Sequence, residues 1–129
     1  MASVFSQIIA GNLPGHFVYQ DEDCVAIMTI QPVNAGHVLV IPRDEISHWD
    51  DLSDELLCHL NVVAKKIAKA IKRAFVCQRV GLVVAGFEVP HVHLHVIPVN
   101  DLSDFHFTGL AMADSDALAQ AAEKIRNAL

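Results

Sequence analysis

Residues 91 to 97 read His91-Val92-His93-Leu94-His95-Val96-Ile97, with imidazoles alternating with aliphatic side chains. In an extended strand, successive side chains point to opposite faces. Val92, Leu94 and Val96 are therefore expected toward a core, and the three histidines toward the other face in steps of roughly 6.8 Å. Imidazole, with an ordinary pKa of roughly 6.5, serves as nucleophile, proton donor or metal ligand near neutrality. Three readings stay open. The histidines fell by chance on a solvated face, in a chain that has eight of them. Alternatively, two of them at i and i+2 chelate zinc with a third ligand from elsewhere. All three cannot reach one ion, because the outer pair is about 13 Å apart at the α-carbons, and no carboxylate is interleaved. The third reading is covalent or electrostatic work on an anion, in which the central His93 attacks while its neighbours orient it and neutralise charge. Phosphoryl groups suit that spacing, since attack by a neutral imidazole splits one displacement into two through a phosphoramidate that water cleaves.

Positioning such a row needs a fold, and 129 residues suit a single domain over 1–129. Hydrophobic residues make up 53% and charged residues 19%, a globular balance. No apolar run approaches the roughly 18 residues of a membrane span, and no secretory signal opens the chain, so a cytoplasmic, membrane-free protein is expected. A net charge of −6 argues against a nucleic-acid partner. Cys24, Cys58 and Cys77 are too few and too scattered for a disulfide framework or thiolate metal site, and are expected to be buried apolar residues.

A short helix is predicted over Val4–Ala10, stopped by Gly11-Asn12 and Pro14. Phe17–Gln20 and Cys24–Met28 flank an acidic turn and predict a hairpin. After the break at Pro32–Gly36 comes His37–Pro42, apolar enough for a strand buried on both faces. Ser53 is a good N-cap for a long helix, with Asp54 and Glu55 in its first turn. Leu56, Leu60, Val63, Ile67, Ala70 and Ala74 form its core stripe, and a solvated basic face carries Lys65, Lys66, Lys69, Lys72 and Arg73. Val80–Ala85 predicts another strand, Gly86–Pro90 a turn into the histidine strand, and Asp114–Leu129 an Asp-capped helix. Short connections force antiparallel pairing, so the expectation is α+β: a mostly antiparallel sheet with the long helix on one face.

The run His91–Ile97 matches in full the His-φ-His-φ-His-φ-φ signature of the histidine triad (HIT) superfamily of nucleotide hydrolases and transferases, and the chain resembles that family. Gln31–Arg43 is similar to its Pro-x-x-x-Gly-His-x-Leu-Val-Ile-Pro landmark, and Ser3–Gly11 to its N-terminal helix. The resemblance spans residues 3–98, leaving a loop and helix over 99–129, and implies a HIT-like fold with a five-stranded sheet. It implies a purine nucleoside phosphate with its α-phosphorus in line with His93, a nucleotidyl-histidine intermediate, His91 and His95 as supporting catalytic residues, and a homodimer joined edge to edge. His95, where transferase branches carry Gln, favours a hydrolase of phosphoramidase or dinucleoside polyphosphate type. No cofactor and no catalytic metal are implied. Ser3 and Ser6 stand where zinc-bearing members have Cys-x-x-Cys, so that structural zinc is expected to be absent.

By position in the family's pattern, Thr29, His37, Gly86 and Glu88 are the nucleotide-binding candidates. Two depart from it. Thr29 stands where an Asp often meets the ribose, and Glu88 falls on a Ser or Thr position that serves the phosphate. A carboxylate beside a phosphate is unfavourable unless it is protonated, turned away, or paired with Arg43, Arg79 or an amine of the substrate. The altered loop therefore leaves a nucleotide-binding regulator with little turnover as the alternative, and a histidine metal site as a third. Phe5, Ile8, Phe17, Val25 and Ile27 are candidate walls of a base pocket. The aromatic segment Asn100–Met112 is expected either to close over the nucleotide, to cross to the other subunit, or simply to pack.

Overall fold

In the computed structural model, which describes residues 2–129, the first hairpin is built around one carboxylate. Asp21 Oδ1 accepts the backbone N–H groups of Asp23 and Cys24, each at 2.8 Å, and so folds β1 (Phe17–Gln20) onto β2 (Cys24–Met28). A turn closed by Gly36, at φ +98, leads into β3 (Val38–Pro42). All five residues of β3 are buried, as its unbroken apolar run predicts for a strand covered on both faces.

Helix α2 (Asp54–Ala74) starts at Ser53, whose side chain accepts Leu56 N–H at 3.1 Å. It carries the chain over the sheet to β4 (Arg79–Val83), the outer strand beside β5 (Leu94–Val99). The strand order is β1-β2-β3-β5-β4, with every neighbouring pair antiparallel. Leu60, Val63, Ile67 and Ile71 of α2 pack on Val38, Val40, Leu94 and Val96. Helix α3 (Ser115–Ala128), capped by Asp114, adds Leu118, Ala122 and Ile125 to the same core. Each such large side chain removed from water contributes roughly 1.5–3 kcal/mol. The opposite sheet face is covered by helix α1 (Val4–Ile9), whose Phe5 packs with Val25, Ile27, Leu39 and Ile41.

Two expectations are corrected. Strand β5 begins at Leu94 rather than His91, because Val92 N–H is taken by Ile46 O instead of by β3. The alternation of faces survives nonetheless, with Val92, Leu94 and Val96 in the α2-side core. Cys24 is buried, but Cys58 is exposed and Cys77 only partly covered. Position 58 lies off the stripe formed by Leu60, Val63 and Ile67, on the solvent side of α2.

Candidate active site

All three histidines of the run are buried, at 0, 2 and 5% exposure for His91, His93 and His95, so the face they occupy is no solvated one. A buried imidazole must place its ring hydrogen where an acceptor waits, and here backbone groups of unambiguous polarity dictate each tautomer. His93 Nδ1 lies 2.8 Å from the His91 carbonyl, so it donates, and Nε2 is left with a lone pair. Val33 N–H donates to His37 Nδ1 at 3.0 Å, which puts the His37 hydrogen on Nε2. That N–H donates in turn to His95 Nδ1 at 2.9 Å, so His95 carries its hydrogen on Nε2. His95 Nε2 is fully buried and meets no partner among the described residues. The row thus presents a lone pair on His93 and an unused N–H on His95.

His91 is turned away from that pair. Its Nε2–H donates to the Pro42 carbonyl at 2.8 Å, and its Nδ1 accepts from Ser3 Oγ at 2.7 Å. Ser3 also caps α1 by accepting Ser6 N–H, and Glu45 Oε1 accepts Ser3 N–H and Ser6 Oγ–H at 2.6 and 2.8 Å. A polar network therefore binds the start of the chain to His91. Burial pushes His37 down to about 3 and His95 to about 4, while His91 is lowered by burial against the opposing pull of the Pro42 carbonyl. These three rings are neutral near pH 7.

Beside His93 and His95 opens a cavity of about 430 Å³. His37, Glu88 and Thr29 line it, so the structure brings these three together with two of the triad histidines. Thr29 Oγ1 accepts Gln31 N–H at 3.3 Å. Glu88 Oε2 stands 3.6 Å from His93 Nε2. Arg43 is spent on the Asp21 carbonyl and Gln20, and so does not partner Glu88. Gly86 does not line the cavity; it turns the preceding loop at φ +78.

The walls are apolar. Phe5, Ile8 and Ile27 face the cavity, whereas Val25 is sealed within the cluster behind them and Phe17 packs at its margin. Phe5 meets the His93 ring edge-on at 4.9 Å between centroids. The segment after β5 contributes Phe107, stacked on His95 at 4.4 Å, with Leu110 and Met112. Sequence reasoning did not single out two features: the backbone donor at Val33 and the choice of Phe107 over Phe105. The Pro32–Gly36 turn beside a histidine was the available hint for the first.

A four-ligand metal fits this site poorly. Glu88, His93 and His95 present ligand atoms within 4.8 Å of one another, but the tautomer relayed from Val33 puts a proton on His95 Nε2 where a metal needs a lone pair.

An antiparallel five-stranded sheet with paired imidazoles at an apolar-walled cavity defines a histidine-triad architecture, and comparison with known proteins agrees. The HIT domain model matches residues 10–102, and the chain belongs to the HIT family. It is 37% identical over 100 residues to an uncharacterised HIT-like protein of Methanocaldococcus jannaschii, covering 74% of this chain and 77% of that one. An adenosine 5'-monophosphoramidase of Saccharomyces cerevisiae is 33% identical over 117 residues, covering 89% and 73%. Among solved structures, a HIT-like protein of Bartonella henselae involved in cell-cycle regulation superposes with a TM-score of 0.88 at 31% identity, covering 98% and 96%.

Proposed function

We propose that the protein is a nucleotide hydrolase or nucleotidyl transferase that acts at the α-phosphate of a nucleoside phosphate derivative through a covalent nucleotidyl-His93 intermediate. One observation carries this reading: the tautomers set by the Val33 and His91 backbone groups aim the His93 lone pair and the His95 N–H at one cavity. His93 Nε2 attacks phosphorus, and the unpartnered His95 N–H stabilises charge on a phosphoryl oxygen. His37 holds His95 in that tautomer, and His91 holds the backbone under His93. A cavity of about 430 Å³ walled by Phe5, Ile27 and Leu39 suits a purine nucleoside, with Thr29 at the ribose end. The similarity to a yeast adenosine 5'-monophosphoramidase supports an adenylate with an amine leaving group.

The test is trapping. Incubation with a radiolabelled adenosine phosphoramidate or dinucleoside polyphosphate, quenched in base, leaves label on wild-type protein and none on His93→Ala. Tight binding across several nucleotides without label on wild type would instead establish a regulator with little turnover, which the carboxylate of Glu88 beside the attacking nitrogen favours.

A homodimer completes the proposal. Strand β4 is an outer strand of the sheet and Leu82 on it is half exposed, a surface suited to pairing with a second copy. Light scattering at micromolar concentration is expected to give twice the 14.1 kDa chain mass. No helix of the described residues is long and apolar enough to cross a membrane.

A further inference from the structure

An amine or alcohol leaves phosphorus readily only with a proton, and water attacks readily only as it loses one. A covalent route through His93 therefore needs a side chain beside His93 Nε2 that gives and takes a proton. The histidines are committed elsewhere. His95 Nε2–H ends a relay that starts at Val33 N–H. His95 could release that proton only by taking another on Nδ1, and His37 could supply it only by becoming an imidazolate. Burial keeps a second proton off both rings near neutrality. His91 has both nitrogens engaged, and His93 Nδ1–H is held by the His91 carbonyl.

Two other titratable side chains line the cavity among the described residues, His16 and Glu88. His16 lies ahead of β1 and meets Ser115 at 3.4 Å. Glu88 Oε2 is 3.6 Å from the attacking nitrogen, and its side chain is 47% exposed, free to follow a ligand or exchange a proton with water. That gap exceeds a formed hydrogen bond and leaves room for an atom of the substrate. A phosphoryl oxygen arriving there meets a hydrogen-bond donor if the carboxyl is protonated, and repulsion if it is not.

We infer that Glu88 is the proton-transfer residue of this site, acid in the first step and base in the second, a role that rests on the covalent route through His93. In the first step, a bond forms from His93 Nε2 to phosphorus and the bond from phosphorus to the leaving atom breaks. The electron pair and the Glu88 proton go to the leaving atom. In the second, water oxygen bonds to phosphorus, the nitrogen–phosphorus pair returns to His93, and the water proton goes to Glu88. One water is consumed, nothing is oxidised, and the proton is restored for the next cycle.

Glu88→Gln keeps the shape and removes the proton. As an exposed-loop substitution it should leave the melting temperature within about 2 °C of wild type. Two adenylates separate its roles: adenosine 5'-phosphoramidate, whose amine needs a proton, and the 4-nitrophenyl ester of AMP, whose phenolate leaves unaided. The variant is expected to lose about 10²–10⁴-fold in the first step with the phosphoramidate. With the ester it should release one nitrophenolate per subunit within about tenfold of the wild-type rate and then stall, with the nucleotide held on His93. Equal losses of the first-step rate with both substrates, or turnover retained with both, while wild type still carries label on His93, would overturn the role of Glu88 alone. Absence of label on wild type with either substrate overturns His93 as nucleophile, and Glu88 with it.

Discussion

Lowering the pH from 7.5 to 5.5 should destabilise the fold by an amount that the two most deeply committed imidazoles set. Burial first, and then the neighbouring histidines, hold His37 at about 3. Burial and His93 hold His95 at about 4, against a smaller opposing pull from Glu88. In the unfolded chain both return to roughly 6.5. As the pH drops through that value the unfolded state takes up protons that the folded state refuses, so stability is complete above it and is lost on the way down to the folded values. For each ring the loss relative to high pH is between about 1 and 2 kcal/mol at pH 5.5 and close to nothing at pH 7.5, so the pair costs roughly 2–3 kcal/mol across the interval. Against a typical total of about 5–15 kcal/mol this is a large fraction. His91, also lowered, adds in the same direction. Asp21, Glu45 and Asp104 are held low, so they stay ionised throughout the interval and contribute no slope. Urea unfolding at pH 7.5, 6.5 and 5.5, with a constant m value, reads the difference directly. A change under about 0.5 kcal/mol would refute the claim that these rings are neutral and enclosed.

Three further outcomes are expected from the same geometry. At pH 7.5, long-range proton–nitrogen spectra should place the hydrogen on Nε2 of His37, His91 and His95 and on Nδ1 of His93; a His95 protonated at Nδ1 would break the relay from Val33. Ser3→Ala removes the α1 cap and the donor to His91 Nδ1; the expected cost is about 2 kcal/mol in urea unfolding, and a loss of a few tenths would mean that the network is ornamental. Gly36→Ala puts a methyl 2.8 Å from the Phe75 ring at a φ of +98, strained even where the ring yields, and should cost about 1–3 kcal/mol in urea unfolding; an unmoved midpoint would refute that strain.

Periodicity and punctuation were strong guides wherever an element obeys one local rule. Ser53 and Asp114 cap the two long helices as expected, because an oxygen acceptor ahead of an apolar stripe has few other uses. The unbroken run of β3 announced a strand with both faces covered. The start of β5 was harder, since pairing there depends on Ile46, which captures Val92 from a distant loop. Cys58 shows the limit of composition: a thiol is small enough to sit on either side of a helix, and its register, not its type, decides. In the site, residue types pointed to phosphate chemistry and to His93, but proton positions depend on main-chain atoms of Val33, Pro42 and His91, which carry no signature in residue identity. The family's pattern offered both Thr29 and Gly86 as nucleotide-binding candidates, and only the placed loops separate Thr29, which lines the cavity, from Gly86, which turns the chain outside it.

The bond from His93 Nδ1–H to the carbonyl of residue 91 has an implication for how this protein tolerates change. The acceptor that aims the central imidazole belongs to the polypeptide itself, and every amino acid supplies that oxygen. A library varying position 91 therefore samples only how firmly the carbonyl is held, through the ring's anchors on Ser3 and Pro42. Graded losses at 91 beside an abrupt loss at 93 would be the pattern of such an arrangement: a site whose aim is written in the main chain and only steadied by side chains.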